Sequence, residues 1–235
     1  VLSSFIDLRP QGGFDLIMAD PPWRFANYSA AGEDKNPSAH YACQDTDWIA
    51  SLPVSVLASQ NCLLWLWATN PMLQDALDVM AAWGFTFKTA GTWVKRTKHG
   101  RDAFGTGYIF RSSNEPILIG TRGAPRTTRS QRSSIISYDD GFHEEEDWPA
   151  GSITIEGRVG AHSEKPVEAY AAAEKLMPDA FRLELFSRTN RAGWHVWGDE
   201  AGRFGDANID PVAAGDCPAI AESNDGTTGT FGDVE

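Results

Sequence analysis

Phe14-Asp15-Leu16-Ile17-Met18-Ala19-Asp20-Pro21-Pro22-Trp23 joins a short apolar run to a stiff polar turn. The apolar part is β-prone, of strand length, and followed at once by residues that cannot continue a ladder, so it reads as a buried strand. Two successive prolines lack N–H donors and hold φ near −65°, so the chain must leave the sheet in an extended turn after Asp20. A carboxylate, two rigid carbonyls and an indole are therefore expected at the carboxyl end of a strand. In an open α/β sheet that edge is where ligands bind.

Working outward, strands and helices alternate. Val1 to Gly13 reads as a short strand around Ser4-Phe5-Ile6 and a turn over Pro10 to Gly13. Beyond Trp23, a polar loop containing Tyr28 runs to His40-Tyr41; loops of this length inside compact domains are usually functional or mobile. Thr46 to Ser59 reads as a helix split at Pro53. Cys62 to Ala68 has the continuous apolar character of a strand buried on both faces. Thr69-Asn70-Pro71 opens a helix that Trp83-Gly84 ends. Phe85 to Lys95 and Glu115 to Gly120 follow as strands, and Ile153-Thr154-Ile155 as a short one. Val167 to Met177 forms a helix, alanine-rich and closed by Pro178. Phe181 to Phe186 is a strand, with Gly193 to Trp197 as its hairpin partner or neighbour. This alternation predicts an α/β fold, a mostly parallel sheet with helices on both faces.

The chain has 235 residues, 42% of them hydrophobic and nine of them Trp, which suits one sizeable α/β core. The expected division is one domain over 1–205 and an acidic, disordered tail over 206–235, which has seven acids and no Lys or Arg. No stretch reaches the ~18 consecutive apolar residues of a membrane span. Three widely spaced cysteines fit neither a zinc site nor a disulfide framework, and with no leader visible a cytoplasmic setting is expected. The net charge of −12 is unevenly spread. Between Gly91 and Ser133 nine basic residues face two acids, so Lys95, Arg126, Arg129 and Arg132 are candidates for phosphate contacts. Gly105-Thr106-Gly107 lacks the third glycine of a dinucleotide-binding turn.

Three separated pieces carry a family resemblance. Asp20-Pro21-Pro22-Trp23 resembles motif IV of the amino-methyltransferases. His162-Ser163-Glu164-Lys165-Pro166-Val167-Glu168-Ala169-Tyr170 and Leu183-Glu184-Leu185-Phe186-Ser187-Arg188, followed by Gly193-Trp194 and Trp197-Gly198, resemble later segments of the MT-A70 family of adenine-N6 methyltransferases in its bacterial and phage form. The resemblance implies a Rossmann-like class I methyltransferase fold in permuted order, catalytic motif before cofactor motif. It implies S-adenosylmethionine as methyl donor, with Asp20, Lys165, Glu184, Phe186, Arg188, Asn190 and Asp199 toward it. Asp199 stands where the family usually has Asn. Asp20, Pro21, Pro22 and Trp23 would be catalytic, with Tyr28, His40 and Tyr41 closing over the substrate adenine. The implied activity is site-specific methylation of adenine N6 in DNA. The same chemistry on RNA or on cytosine N4, and a catalytically silent nucleic-acid-binding subunit, remain alternatives. No metal cluster is visible in the sequence.

Overall fold

The structure, a computed structural model, describes residues 5–24, 43–96, 109–129, 131–136, 165–198 and 206–207. Tyr28, His40, Tyr41 and Asp199 lie outside the described residues, as do Gly105 to Tyr108, Ile153 to Ile155 and His162 to Glu164.

Seven strands form one sheet in the order β5-β3-β4-β2-β1-β6-β8. They are β1 (Phe14–Ala19), β2 (Ala58–Trp67), β3 (Thr86–Val94), β4 (Asn114–Arg122), β5 (Ser134–Ile136), β6 (Arg182–Leu185) and β8 (His195–Trp197). All run parallel except β4, which is antiparallel to both its neighbours. The mostly parallel sheet expected from the alternation is thus present. β1 lies inside it, with Ala19 opposite Leu66 on one side and Leu185 on the other.

The two faces of β1 build two cores, as the period of two requires. Ile17 and Ala19 pack with α1 (Thr46–Ser51), α2 (Val54–Leu57) and α3 (Leu73–Ala82) through Ile49, Leu57, Ala76 and Met80. Leu16 and Met18 face α4 (Val167–Leu176), whose Ala169, Ala172 and Ala173 let it lie close to the sheet. Helices therefore cover both faces. Pro53 separates α1 from α2 as expected. A 3₁₀ turn over Asn70–Met72 precedes α3, and Gly84 ends the helix at φ +81°, a conformation that a side chain would strain.

One local expectation is corrected. Phe5 and Ile6 lie in a helical turn rather than a strand, with Leu8 and Arg9 N–H donating back to their carbonyls. Phe5 is buried edge-on against Trp197, so its apolar character serves a cap on the core and no ladder. β8 is a parallel neighbour of β6, the second of the two arrangements the sequence allowed, and the chain between them passes through the short strand β7 (Asn190–Arg191). Asp206–Ala207, assigned by sequence to the tail, form β9 and pair in parallel with Asn190–Arg191. Residues 208–235 lie outside the described residues.

Candidate functional site

The carboxyl ends of β1, β2, β3 and β6 share one edge of the sheet, and the reversed β4 brings its start there. Asp20 leaves β1 at this edge, its N–H donating to the Leu185 carbonyl at 3.4 Å. The two prolines turn the chain, and the Trp23 N–H closes the turn on the Pro21 carbonyl at 2.8 Å. Pro21 keeps a second carbonyl lone pair for another donor.

Trp23 is held in the core by its ring and by its indole N–H. It is 4% exposed, and its indole N–H donates to the Trp67 carbonyl at 3.1 Å. Its ring is part of the core beneath the turn.

The centre of the site is a chain of four alternating charges. Lys165, with a side chain 6% exposed, places its ammonium 2.8 Å from Asp20 Oδ2 and 2.7 Å from Glu115 Oε1. Lys95 approaches the other oxygen of Glu115, Oε2, at 2.7 Å. The two ammoniums also lie over indoles, Lys165 over Trp67 at 5.3 Å and Lys95 over Trp93 at 4.6 Å. Two carboxylates and two ammoniums cancel, which is the arrangement that makes four desolvated charges tolerable.

The electrostatics distinguish the two acids. Burial pushes the Glu115 carboxyl up, but ammoniums on both sides outweigh it and hold the group down at about 2. Asp20 is raised from its ordinary value, chiefly by burial, and Glu115 pushes in the same direction, while Lys165 and Arg188 pull it down. Its side chain keeps 24% exposure, so water moderates that push. Lys165 is raised because Asp20 and Glu115 together outweigh its desolvation, and it stays charged.

The linkage signs follow. Glu115, depressed on folding, contributes stability that is present above its ordinary value of 4.5 and is lost as pH falls through about 2. Asp20, raised, has the opposite sign, and Lys165 matters only near and above its ordinary value of 10.5. Between pH 5 and pH 2 the melting temperature of the wild type should therefore fall more than that of Glu115→Gln. Parallel curves by scanning calorimetry would contradict this assignment.

Next to this chain of charges, Glu184 on β6 is buried and accepts the Tyr170 hydroxyl at 2.6 Å on Oε1; its Oε2 has no hydrogen-bond partner. Desolvation raises the Glu184 carboxyl above its usual value, against hydrogen bonds from Tyr170 and Ser187. The Arg191 guanidinium stacks on the Tyr170 ring at 3.7 Å. Phe186 takes a left-handed φ of 64°, an unusual conformation for a bulky residue, and so turns the chain sharply off β6. Opposite it, a Cβ on Gly198 would stand 2.3 Å from the Ser187 carbonyl oxygen, so only glycine lets β8 approach this closely. Arg188 and Asn190 are half-buried in the same turn.

The structure thus brings Asp20, Pro21, Lys165, Glu184 and Phe186 to one edge. Two basic residues are paired here: Lys95, a candidate for phosphate contact by sequence, with Glu115, and Lys165 with both Asp20 and Glu115. Arg126, Arg129 and Arg132 are exposed on the segment after β4, which leaves from the opposite edge. Glu115 is the residue that the sequence reading missed. Its signal was a lone acid at the head of an apolar strand inside a basic segment, where burial requires a cationic partner. Among the described residues no group of His, Cys, Asp and Glu could hold a metal, and no helix is long and apolar enough to cross a membrane.

Comparison with known proteins gives a match of residues 14–200 to the MT-A70 family model. The N6-methyladenosine RNA methyltransferase MTA1 of Cryphonectria parasitica is 29% identical over 202 residues, covering 81% of this chain and 52% of its own length. The type II methyltransferase M.MunI of a Mycoplasma species is 25% identical over 210 residues, covering 81% and 79%. The human N(6)-adenine-specific methyltransferase METTL4 is 26% identical over 194 residues, covering 81% and 38%. The chain therefore spans about half the length of the first of these relatives and less of the third.

Proposed function

Because the chain belongs to the MT-A70 family, we propose that it transfers a methyl group from S-adenosylmethionine to the N6 amine of adenine, and that its substrate is DNA. The observation that carries this reading is the Asp20 carboxylate, held at the ligand edge of the sheet by Lys165 beside the Pro21 carbonyl. An exocyclic amine on a purine is a poor nucleophile because its lone pair is delocalised into the ring. If one amine hydrogen meets Asp20 and the other Pro21, the nitrogen is biased toward a tetrahedral shape and its lone pair is freed for in-line attack. Lys165 occupies Oδ2 and so leaves Oδ1 for the amine. Placement is most of what the chain must contribute, since the methyl donor arrives activated.

The residues fit that donor. Glu184 Oε2, buried without a partner, suits a hydroxyl donor such as a ribose. The third proton of the Lys165 ammonium suits a carboxylate. Bound there, S-adenosylmethionine would supply an electrophilic sulfonium methyl. In duplex DNA the target adenine has to be turned out of the stack before Asp20 can reach it. Free thiols at Cys43 and Cys62 agree with a reducing, cytoplasmic setting.

RNA is the second reading, favoured by the similarity to MTA1, an RNA methyltransferase by name. One experiment separates these. The protein is incubated with radiolabelled cofactor and duplex DNA, single-stranded DNA or RNA, and the digested nucleosides are identified. N6-methyldeoxyadenosine supports the proposal, N6-methyladenosine moves it to RNA, and N4-methylcytosine or no label refutes it. If Arg126, Arg129 and Arg132 carry DNA phosphates, replacing all three by Ala should flatten the slope of log K against log salt by nearly three units, at ~0.9 per duplex phosphate. An unchanged slope places the polymer elsewhere.

A further inference from the structure

A cavity of about 660 Å³ lies on the α4 face of the sheet. None of Asp20, Glu115, Lys165 or Glu184 lines it. Its floor is apolar and flat, made by Leu63 and Trp65 of β2 and Ile117 and Ile119 of β4, with Ala172 and Leu176 of α4 as one wall. Its nearest lining residue on β4, Ile117, lies two residues from Glu115, roughly 7 Å at ~3.3 Å per residue, and Ile119 lies two further on. Trp67 and Trp93, packed edge to face at 6.2 Å beneath the two lysines, stand between the cavity and the charge chain.

The opposite wall is the segment after β4, and the fold pins it down. The Ala124 N–H donates to Asn61 Oδ1 at 2.9 Å. Thr128 anchors to the end of α4 twice, N–H to the Leu176 carbonyl at 2.9 Å and hydroxyl to the Lys175 carbonyl at 3.0 Å. The Ser133 carbonyl accepts the Thr92 N–H at 2.7 Å. Between these anchors Arg129 adopts φ 55°, a left-handed conformation that costs a non-glycine residue energy, and lines the cavity with Arg132. Lys88 lines it from β3, and Thr127, Gln131 and Ser133 add hydroxyl and amide groups. The lining contains three cations and no acid. Trp65, 5% exposed, has an indole N–H without an acceptor.

We propose that this cavity binds a nucleotide, with the base on the Trp65 floor and the phosphate between Lys88, Arg129 and Arg132. The volume falls in the range of small-ligand sites. An apolar floor alone would suit many ligands. The cationic rim, with no carboxylate to neutralise it, selects a phosphate, and the hydroxyl and amide wall suits the edges of a base and a sugar. A free mononucleotide and a nucleotide of a bound strand share this chemistry. The inference stands on the cavity and does not depend on the methyl-transfer reading.

The test uses the full chain with S-adenosylhomocysteine present to fill the cofactor part of the Asp20 edge, and the mapped label tells binding beside Asp20 from binding in the cavity. Adenosine monophosphate is titrated by calorimetry, and an azido-adenosine monophosphate is photocrosslinked and mapped. The expected label falls on peptides containing Trp65 or residues 127–132. Arg129→Ala combined with Arg132→Ala should weaken binding at least about tenfold, as loss of charge-assisted contacts requires. Both side chains are exposed, and an unchanged melting temperature shows that the variant is folded. Leu176→Trp, which fills the cavity, should abolish binding. A labelled short oligonucleotide forms the second arm: crosslinking there without the mononucleotide assigns the site to a strand and still supports the proposal. Label confined to the Asp20 edge, phosphate alone binding as tightly as the nucleotide, or an affinity within twofold in the double variant would overturn it.

Discussion

Alanine in place of Asp20 should reduce methyl transfer by about 10²–10³-fold, ~2.7–4 kcal/mol, the usual cost of one polar contact aimed at a transition state. The proposed bond is to the substrate amine, so cofactor affinity measured by calorimetry should be nearly unchanged. The fold should survive as well, because Lys165 keeps Glu115 as its partner at 2.7 Å. Asp20→Asn should also be defective. It keeps the shape, but its charge no longer orders the Lys165 ammonium or accepts the amine hydrogen with full strength. Near-normal turnover by Asp20→Ala would remove the carboxylate from the mechanism.

Lys165→Met should have the larger effect on stability. The substitution preserves most of the side-chain volume, yet it leaves Asp20 without its ammonium at 2.8 Å and Glu115 with Lys95 alone. Breaking a buried pair by removing one partner costs about 3–5 kcal/mol. A double change, Lys165→Met with Asp20→Asn, should recover part of that loss, because the stranded charge is then gone. Urea unfolding of the four proteins measures the coupling. A loss below about 1 kcal/mol in the single variant, the range of exposed pairs, would mean that the network is solvated in solution.

What could be read in advance depended on whether the signal was periodic. β1, β2 and α4 were legible because uninterrupted apolar runs and an alanine-rich helical stripe have few other uses. The reversal of β4 was not, since an apolar strand buried on both faces reads the same in either direction. With it was lost the position of Glu115, which only the antiparallel direction brings to the edge where Asp20 stands. The Lys95–Glu115 pair was hidden for a like reason: the charge of Lys95 is counted with its neighbours in sequence, whereas this partner lies on the adjoining strand. Asp20 and Lys165 were legible as residues that matter, but their direct contact, across a sequence separation of 145, was not. Trp23 was legible as part of the motif, but its indole bond to the Trp67 carbonyl was not.

The interior position of β1 sets a schedule for synthesis. Its two partners are Leu63 to Leu66 on one side and Arg182 to Leu185 on the other. A nascent chain can pair the first soon after it leaves the ribosome. The second is made only after a further stretch of more than one hundred residues, roughly 6–24 s at 5–20 residues per second. Throughout that interval β1 has a bare edge in its most apolar region, a template for pairing with other chains. Ribosome-bound chains halted after Arg132 should accordingly recruit a chaperone or aggregate, whereas chains halted well beyond Trp197 should resist protease. Equal protease resistance at both lengths would show that the N-terminal half closes without its last partner. Asp20, at the end of β1, thus waits for β6 before its surroundings exist.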